Sequence, residues 1–115
     1  MAFGTKVSVE PVREVAFGGI SGTYAVVGTP LARRGRIVNI HNGTDAQIYV
    51  SLDGVNNHFR LAVAETKVLD LTTDRVDEAG FFIGKGTQFW VKQVTAPGVG
   101  AMWIEVIGAA ANGGI

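Results

Sequence analysis

The side chains able to do chemistry are few, and their spacing argues against most reactions. The chain has two histidines, His41 and His58, and no cysteine. Neither histidine stands at a spacing that ligates a metal or relays a proton to a nucleophile. His41 falls on the strand parity opposite Val38 and Ile40, the place of a solvent-facing residue, and His58 follows Asn56 and Asn57 in a polar turn. Gly84, Lys85, Gly86 and Thr87 superficially resemble a phosphate loop. They lack its lysine-serine or lysine-threonine ending and its following helix, which leaves a tight turn. Asp70, Asp74, Asp77 and Glu78 form the one carboxylate cluster. Calcium takes several oxygens from a flexible loop, but this spacing matches no helix-loop-helix site. A solvated acidic loop, or salt bridges to a neighbouring subunit, is expected instead. The expectation is a chain that is no enzyme and uses neither metal nor cofactor.

Binding is better served than catalysis. Arg33, Arg34 and Arg36 put three arginines in four positions. With 10 basic and 10 acidic residues the net charge is zero, so a continuous nucleic-acid track is not expected. Pairing of the guanidinium forks with carboxylates of another subunit is. In residues 88–94, Phe89 and Val91 alternate with Trp90 and Lys92; in 101–107, Met102, Ile104 and Val106 alternate with Trp103, Glu105 and Ile107. Joined through Thr95, Ala96, Pro97, Gly98, Val99 and Gly100, the two read as a hairpin with an apolar core face. Val94 opposite Ala101 would set Trp90 beside Glu105 and Lys92 beside Trp103 on the second face. Three uses of that face stay open: cover by a loop or the N-terminal arm, a subunit interface, or a sugar-stacking platform that Tyr49 extends if its strand is adjacent.

The elements that position these residues read as short strands. The 115 residues make one domain. Charged residues are 17%, against an average near 25%, and there are 16 glycines, which fits a tightly turned all-β chain or a subunit covered by neighbours. No apolar run approaches the roughly 20 residues of a membrane span, and no export signal is visible. Residues 6–17 carry Val7, Val9, Val12, Val15 and Phe17, interrupted by Pro11, as an edge segment would be. Strand patterns follow at 23–27, 36–42, 47–52, 59–63 and 67–71, with 36–42 and 47–52 read as a hairpin about Asn42, Gly43, Thr44 and Asp45. Thr73 or Asp74 is placed to cap a single helical turn before Phe81, Phe82 and Ile83.

The run from Ile48 through Tyr49, Ser51, Asp53 and Gly54 to His58, then Leu69, Asp70 and Leu71, then Gly86 to Lys92 and Thr95, Ala96, Pro97, resembles a family of small structural proteins of tailed bacteriophages. The likeness covers residues 36–108 and consists of turn and strand signatures. It implies a β-sandwich virion component, present in many copies or as a ring, with no catalytic site. Its partners would be other copies of itself and capsid, portal or tail proteins, assembled in the host cytoplasm into the virion. The role would be capsid decoration or cement, or a ring at the head-to-tail or tail region.

Together these readings predict a single all-β antiparallel sandwich of jelly-roll type with about seven to nine short strands. It would span 6–108, between a flexible arm, 1–5, and a flexible tail, 109–115. The expected contact residues are Trp90, Lys92, Trp103, Glu105, Arg33, Arg34, Arg36 and Phe3. The alternative is a carbohydrate-binding β-sandwich module in which Trp90 and Trp103 stack on sugars.

Overall fold

The computed structural model describes residues 7–71 and 83–109. These form nine strands and one 3₁₀ turn: β1 (Val7–Val9), β2 (Arg13–Ala16), the turn Phe17–Gly19, β3 (Ala25–Val27), β4 (Gly35–Asn42), β5 (Ile48–Ser51), β6 (Phe59–Leu61), β7 (Thr66–Asp70), β8 (Phe89–Gln93) and β9 (Ala101–Ala109). One sheet runs β1-β9-β4-β7, with β2 following β1 along the same edge of β9. The other runs β3-β8-β5-β6.

The pairings are nested. β5 pairs with β6, β4 with β7, β3 with β8 and β2 with β9, all antiparallel. A long hairpin with its tip between β5 and β6, rolled so that successive pairs fall alternately in one sheet and the other, gives this order. The contacts β4 to β9 and β5 to β8 close the roll. That is the jelly roll expected from the sequence.

Alternation places the core as the sequence reading predicts. Val38 and Ile40, Ile48 and Val50, Phe89 and Val91, and Met102, Ile104 and Val106 are all buried between the sheets. Each such side chain contributes about 1.5–3 kcal/mol relative to exposure, so a one-residue slip, which turns a whole strand over, is strongly disfavoured.

Neither predicted hairpin exists. β8 and β9 lie in different sheets, and so do β4 and β5. Residues 94–100 and 43–47 therefore cross between sheets, and the two crossings are clipped together. Asp45 Oδ1 accepts the N–H of Gly98 at 2.7 Å and of Val99 at 3.3 Å. Gly100 holds φ at +94°, and a Cβ there would lie 2.1 Å from the Gly43 carbonyl oxygen. An arch and a hairpin put the same parity on the core, so alternation identifies the buried residues and is silent on the neighbour.

Beside these crossings the buried Asn42 knits three chain segments: the end of β4, the crossing at 44–46 and residues 61–62. Its Nδ2 donates to the carbonyls of Ala46 (2.8 Å), Ala62 (3.0 Å) and Leu61 (3.3 Å), and its Oδ1 accepts from Thr44 N–H and Oγ1.

The interruption at Pro11 separates β1 from β2, as an edge segment allows. There the apolar and the charged residue exchange their usual places: Val12 is 57% exposed, while Arg13 is 5% exposed and stands opposite the core residue Ile104. Arg13 Nη2 meets Glu10 Oε1 at 2.6 Å. Its Nε donates to the Thr29 carbonyl at 2.7 Å, and Glu10 Oε2 accepts the N–H groups of Ala32 and Arg33, each at 3.1 Å. A buried ion pair thus pins the loop between β3 and β4 to the chain entering β2.

Ala109 pairs with Val7 inside β9, so it is no part of a free tail. Phe3, the arm 1–5, residues 110–115, Thr73, Asp74, Asp77, Glu78, Phe81 and Phe82 lie outside the described residues.

Candidate functional site: two outer sheet faces

Separation of β8 from β9 divides the predicted contact face in two. Trp90 and Lys92 stand on the outer face of the four-stranded sheet, and Trp103 and Glu105 on the outer face of the five-stranded sheet, across the sandwich. No single surface carries both indoles.

On the four-stranded sheet, Tyr49 lies between Lys92 and Arg60, and Trp90 between Val26 and Ser51. β5 is adjacent to β8, so Tyr49 does join the Trp90 surface. Lys92 Nζ lies 4.7 Å from the Tyr24 ring centroid and 5.6 Å from that of Tyr49, close enough for both rings to attract the cation. Arg60 Nε donates to Gln47 Oε1 at 2.8 Å.

The loop between β5 and β6 borders this face and packs on Trp90. Gly54 adopts φ +76°, and a Cβ there would come within 2.9 Å of the indole Cε2. Asp53 organises the loop: Oδ1 accepts the N–H groups of Asn56 and Val55, each at 2.8 Å, and the Ser51 hydroxyl at 2.8 Å. These bonds, led by the Asn56 N–H, hold its carboxyl well below the usual carboxylate range. His58 Nδ1 accepts the Leu52 N–H at 3.0 Å, which puts the neutral ring's proton on Nε2, 3.9 Å from Asp53 Oδ2. His58 is a strut of this loop. The Tyr24 hydroxyl donates to Asn57 Oδ1 and to the Asn56 carbonyl. Burial first, then the Asp53 charge, raises the phenol pKa and keeps it a donor.

Three rows cross the outer face of the five-stranded sheet. Glu14, Trp103, His41 and Thr66 form the first, with the His41 and Trp103 centroids 4.5 Å apart and His41 Nδ1 at 2.6 Å from Thr66 Oγ1. Glu105, Asn39 and Val68 form the second, and Val9, Ile107, Ile37 and Asp70 the third. The expectation for His41 holds in direction, since it faces outward, but its ring packs on an indole.

Charge is segregated between the faces. The rows of the five-stranded sheet carry Glu14, Glu105 and Asp70 and no Lys or Arg, while the strands of the other face present Lys92 and Arg60 and no carboxylate. A net charge of zero hides this, and so does any linear reading of the chain.

The arginines do not form one exposed track. Arg33 is exposed in the loop before β4, and Arg34 is half-buried. Arg36 sits at the register shift between Gly35 and Ile37, with its Nε buried and without a hydrogen-bond partner. Sequence reasoning missed the Glu10–Arg13 pair and Asn42, because nothing in their spacing separates a buried polar group from an exposed one.

Among the described residues, no three His, Asp or Glu side chains converge as a metal ion requires, and no helix is long and apolar enough to cross a membrane. Gly84 to Thr87 form a turn closed by the Thr87 N–H on the Gly84 carbonyl at 3.1 Å, not a phosphate cradle. No family model, curated protein or solved structure matches the chain.

Proposed function

We propose that the chain is a non-enzymatic structural subunit of a tailed-phage particle. It serves either as decoration or cement on the capsid or as a ring component of the head-to-tail or tail region, acting through contacts with copies of itself and other virion proteins. The observation that carries this reading is the outer face of the five-stranded sheet. Val9 and Val68 stand there 70% and 58% exposed, beside Ile37, Ile107 and Trp103. The free face of an antiparallel sheet is ordinarily polar, so a mixed apolar and acidic face favours cover by protein. The sequence likeness over 36–108 supplies the virion setting. The other sheet's edge strands, β3 and β6, are three residues long, too short to template pairing, which directs contact to the faces.

Quantitative mass spectrometry of gradient-purified particles tests the reading. The chain is expected in a fixed ratio to the major capsid protein. Its absence from infectious particles, with the chain left soluble in the lysate, overturns the reading.

A further inference from the structure

We infer that copies of this chain associate face to back, the basic aromatic face of one (Trp90, Lys92, Arg60) seating on the acidic apolar face of the next (Trp103, Glu14, Glu105). This rests on the reading above, that the chain works through contacts between copies, and it names the surfaces.

Charge complementarity carries the inference. The two outer faces hold opposite charge, and neither Lys92 and Arg60 on one nor Glu14 and Glu105 on the other is neutralised by an ion pair among the described residues. Among the described residues Lys92 has no carboxylate partner, and the side chains of Glu14 and Glu105 make no hydrogen bond or ion pair. Asp53, in the loop that borders the basic face, has both carboxylate oxygens engaged in its own loop. On each face the tryptophan and its charged neighbour are two residues apart on one strand, roughly 6.6 Å. One docking register therefore brings Lys92 to Glu105 while the two indoles meet, joining apolar burial to attraction of opposite charges. The exposed valines fall on the same surfaces, Val26 on the basic face and Val68 on the acidic one.

The patches lie on opposite sides of one sandwich, so the contact is heterologous and leaves the joined pair with one free face of each kind. Such contacts build a closed ring or an open filament, never a two-fold dimer. Of the two placements proposed above, a ring component is the one this geometry favours.

Charge reversal tests it with the full chain, by sedimentation velocity over a concentration series at low and high salt. The wild-type protein is expected to self-associate, more weakly as salt rises. Lys92→Glu and Glu105→Lys are each expected to weaken association about tenfold or more. An equimolar mixture of the two variants, each folded by circular dichroism, is expected to assemble again, since each then presents a face complementary to the other. Arg60→Glu provides a second reversal on the basic face should Lys92→Glu misfold. A wild-type chain that is monomeric throughout, or an oligomer indifferent to all three reversals, overturns the inference. So does a monomer whose basic face titrates with an acidic oligosaccharide such as a heparin fragment. An oligomer indifferent to reversal leaves the virion reading standing, because that reading fails on particle composition alone.

Discussion

Asp45 accepts the backbone N–H of Gly98 at 2.7 Å across 53 residues of sequence, fastening the crossing from β4 to β5 onto the crossing from β8 to β9. That bond, ahead of the one from Val99, holds the Asp45 carboxyl below its ordinary range, and Asp53 is held lower still by the N–H groups of its own loop.

Both folded-state values are depressed, so the sign of their effect on stability is fixed. Near neutral pH the carboxyls are ionised whether the chain is folded or not. As pH falls through about 4, the unfolded chain takes up protons that the folded chain refuses, and stability declines until the folded carboxyls also protonate. Urea unfolding between neutral pH and pH 2 is expected to show this decline, with a shallower slope in Asp53→Asn and Asp45→Asn. Curves parallel to wild type would assign acid sensitivity to other groups.

Asn42 bonds chain segments that alternation cannot join. Asn42→Ala removes five hydrogen bonds and leaves buried carbonyls and the Thr44 N–H short of partners, for an expected loss of about 2–4 kcal/mol in denaturant unfolding. Asn42→Asp should lose as much, since a carboxylate cannot donate to three carbonyls. A loss under about 1 kcal/mol would mean that water takes over the site.

Gly100 has no tolerance for a side chain. Its φ of +94° and the 2.1 Å approach of the Gly43 carbonyl to any Cβ make Gly100→Ala a strained and clashing substitution. Loss of more than about 3 kcal/mol, or failure to fold, is expected, whereas Gly86→Ala, with φ +89° and open space around it, should cost less. Thermal melts of the two variants give the comparison, and equal losses would remove the close approach as the cause.

The Glu10–Arg13 pair should behave as a unit. Arg13→Met leaves the Glu10 carboxylate buried against two N–H groups without its cation, at an expected cost of about 3–5 kcal/mol. Glu10→Gln combined with Arg13→Met should cost less than the sum of the two changes. A double-mutant cycle reads the difference, and strict additivity would show that the two side chains act independently.

What the sequence discloses follows from what alternation encodes. Period-two patterning marks Val38, Ile40, Phe89, Val91, Met102, Ile104 and Val106 as core, and all are buried. Nothing in the period says which strand lies alongside, so residues 94–100 look like a hairpin loop while they cross between sheets. The misassigned neighbour is what united Trp90 and Trp103 on paper. Arg13 escaped notice for a related reason: its inward parity in β2 is set by pairing with the far end of the chain, at Ile104.

β9 pairs with β1, β2 and β4, which makes the last strand of the described chain the middle of the five-stranded sheet. During synthesis β5 and β6 can meet early, and β7 can find β4, but that sheet lacks its centre until residue 109 has left the ribosome. Closure of that sheet therefore waits for β9, and until β9 arrives β4 keeps an open edge that could pair wrongly.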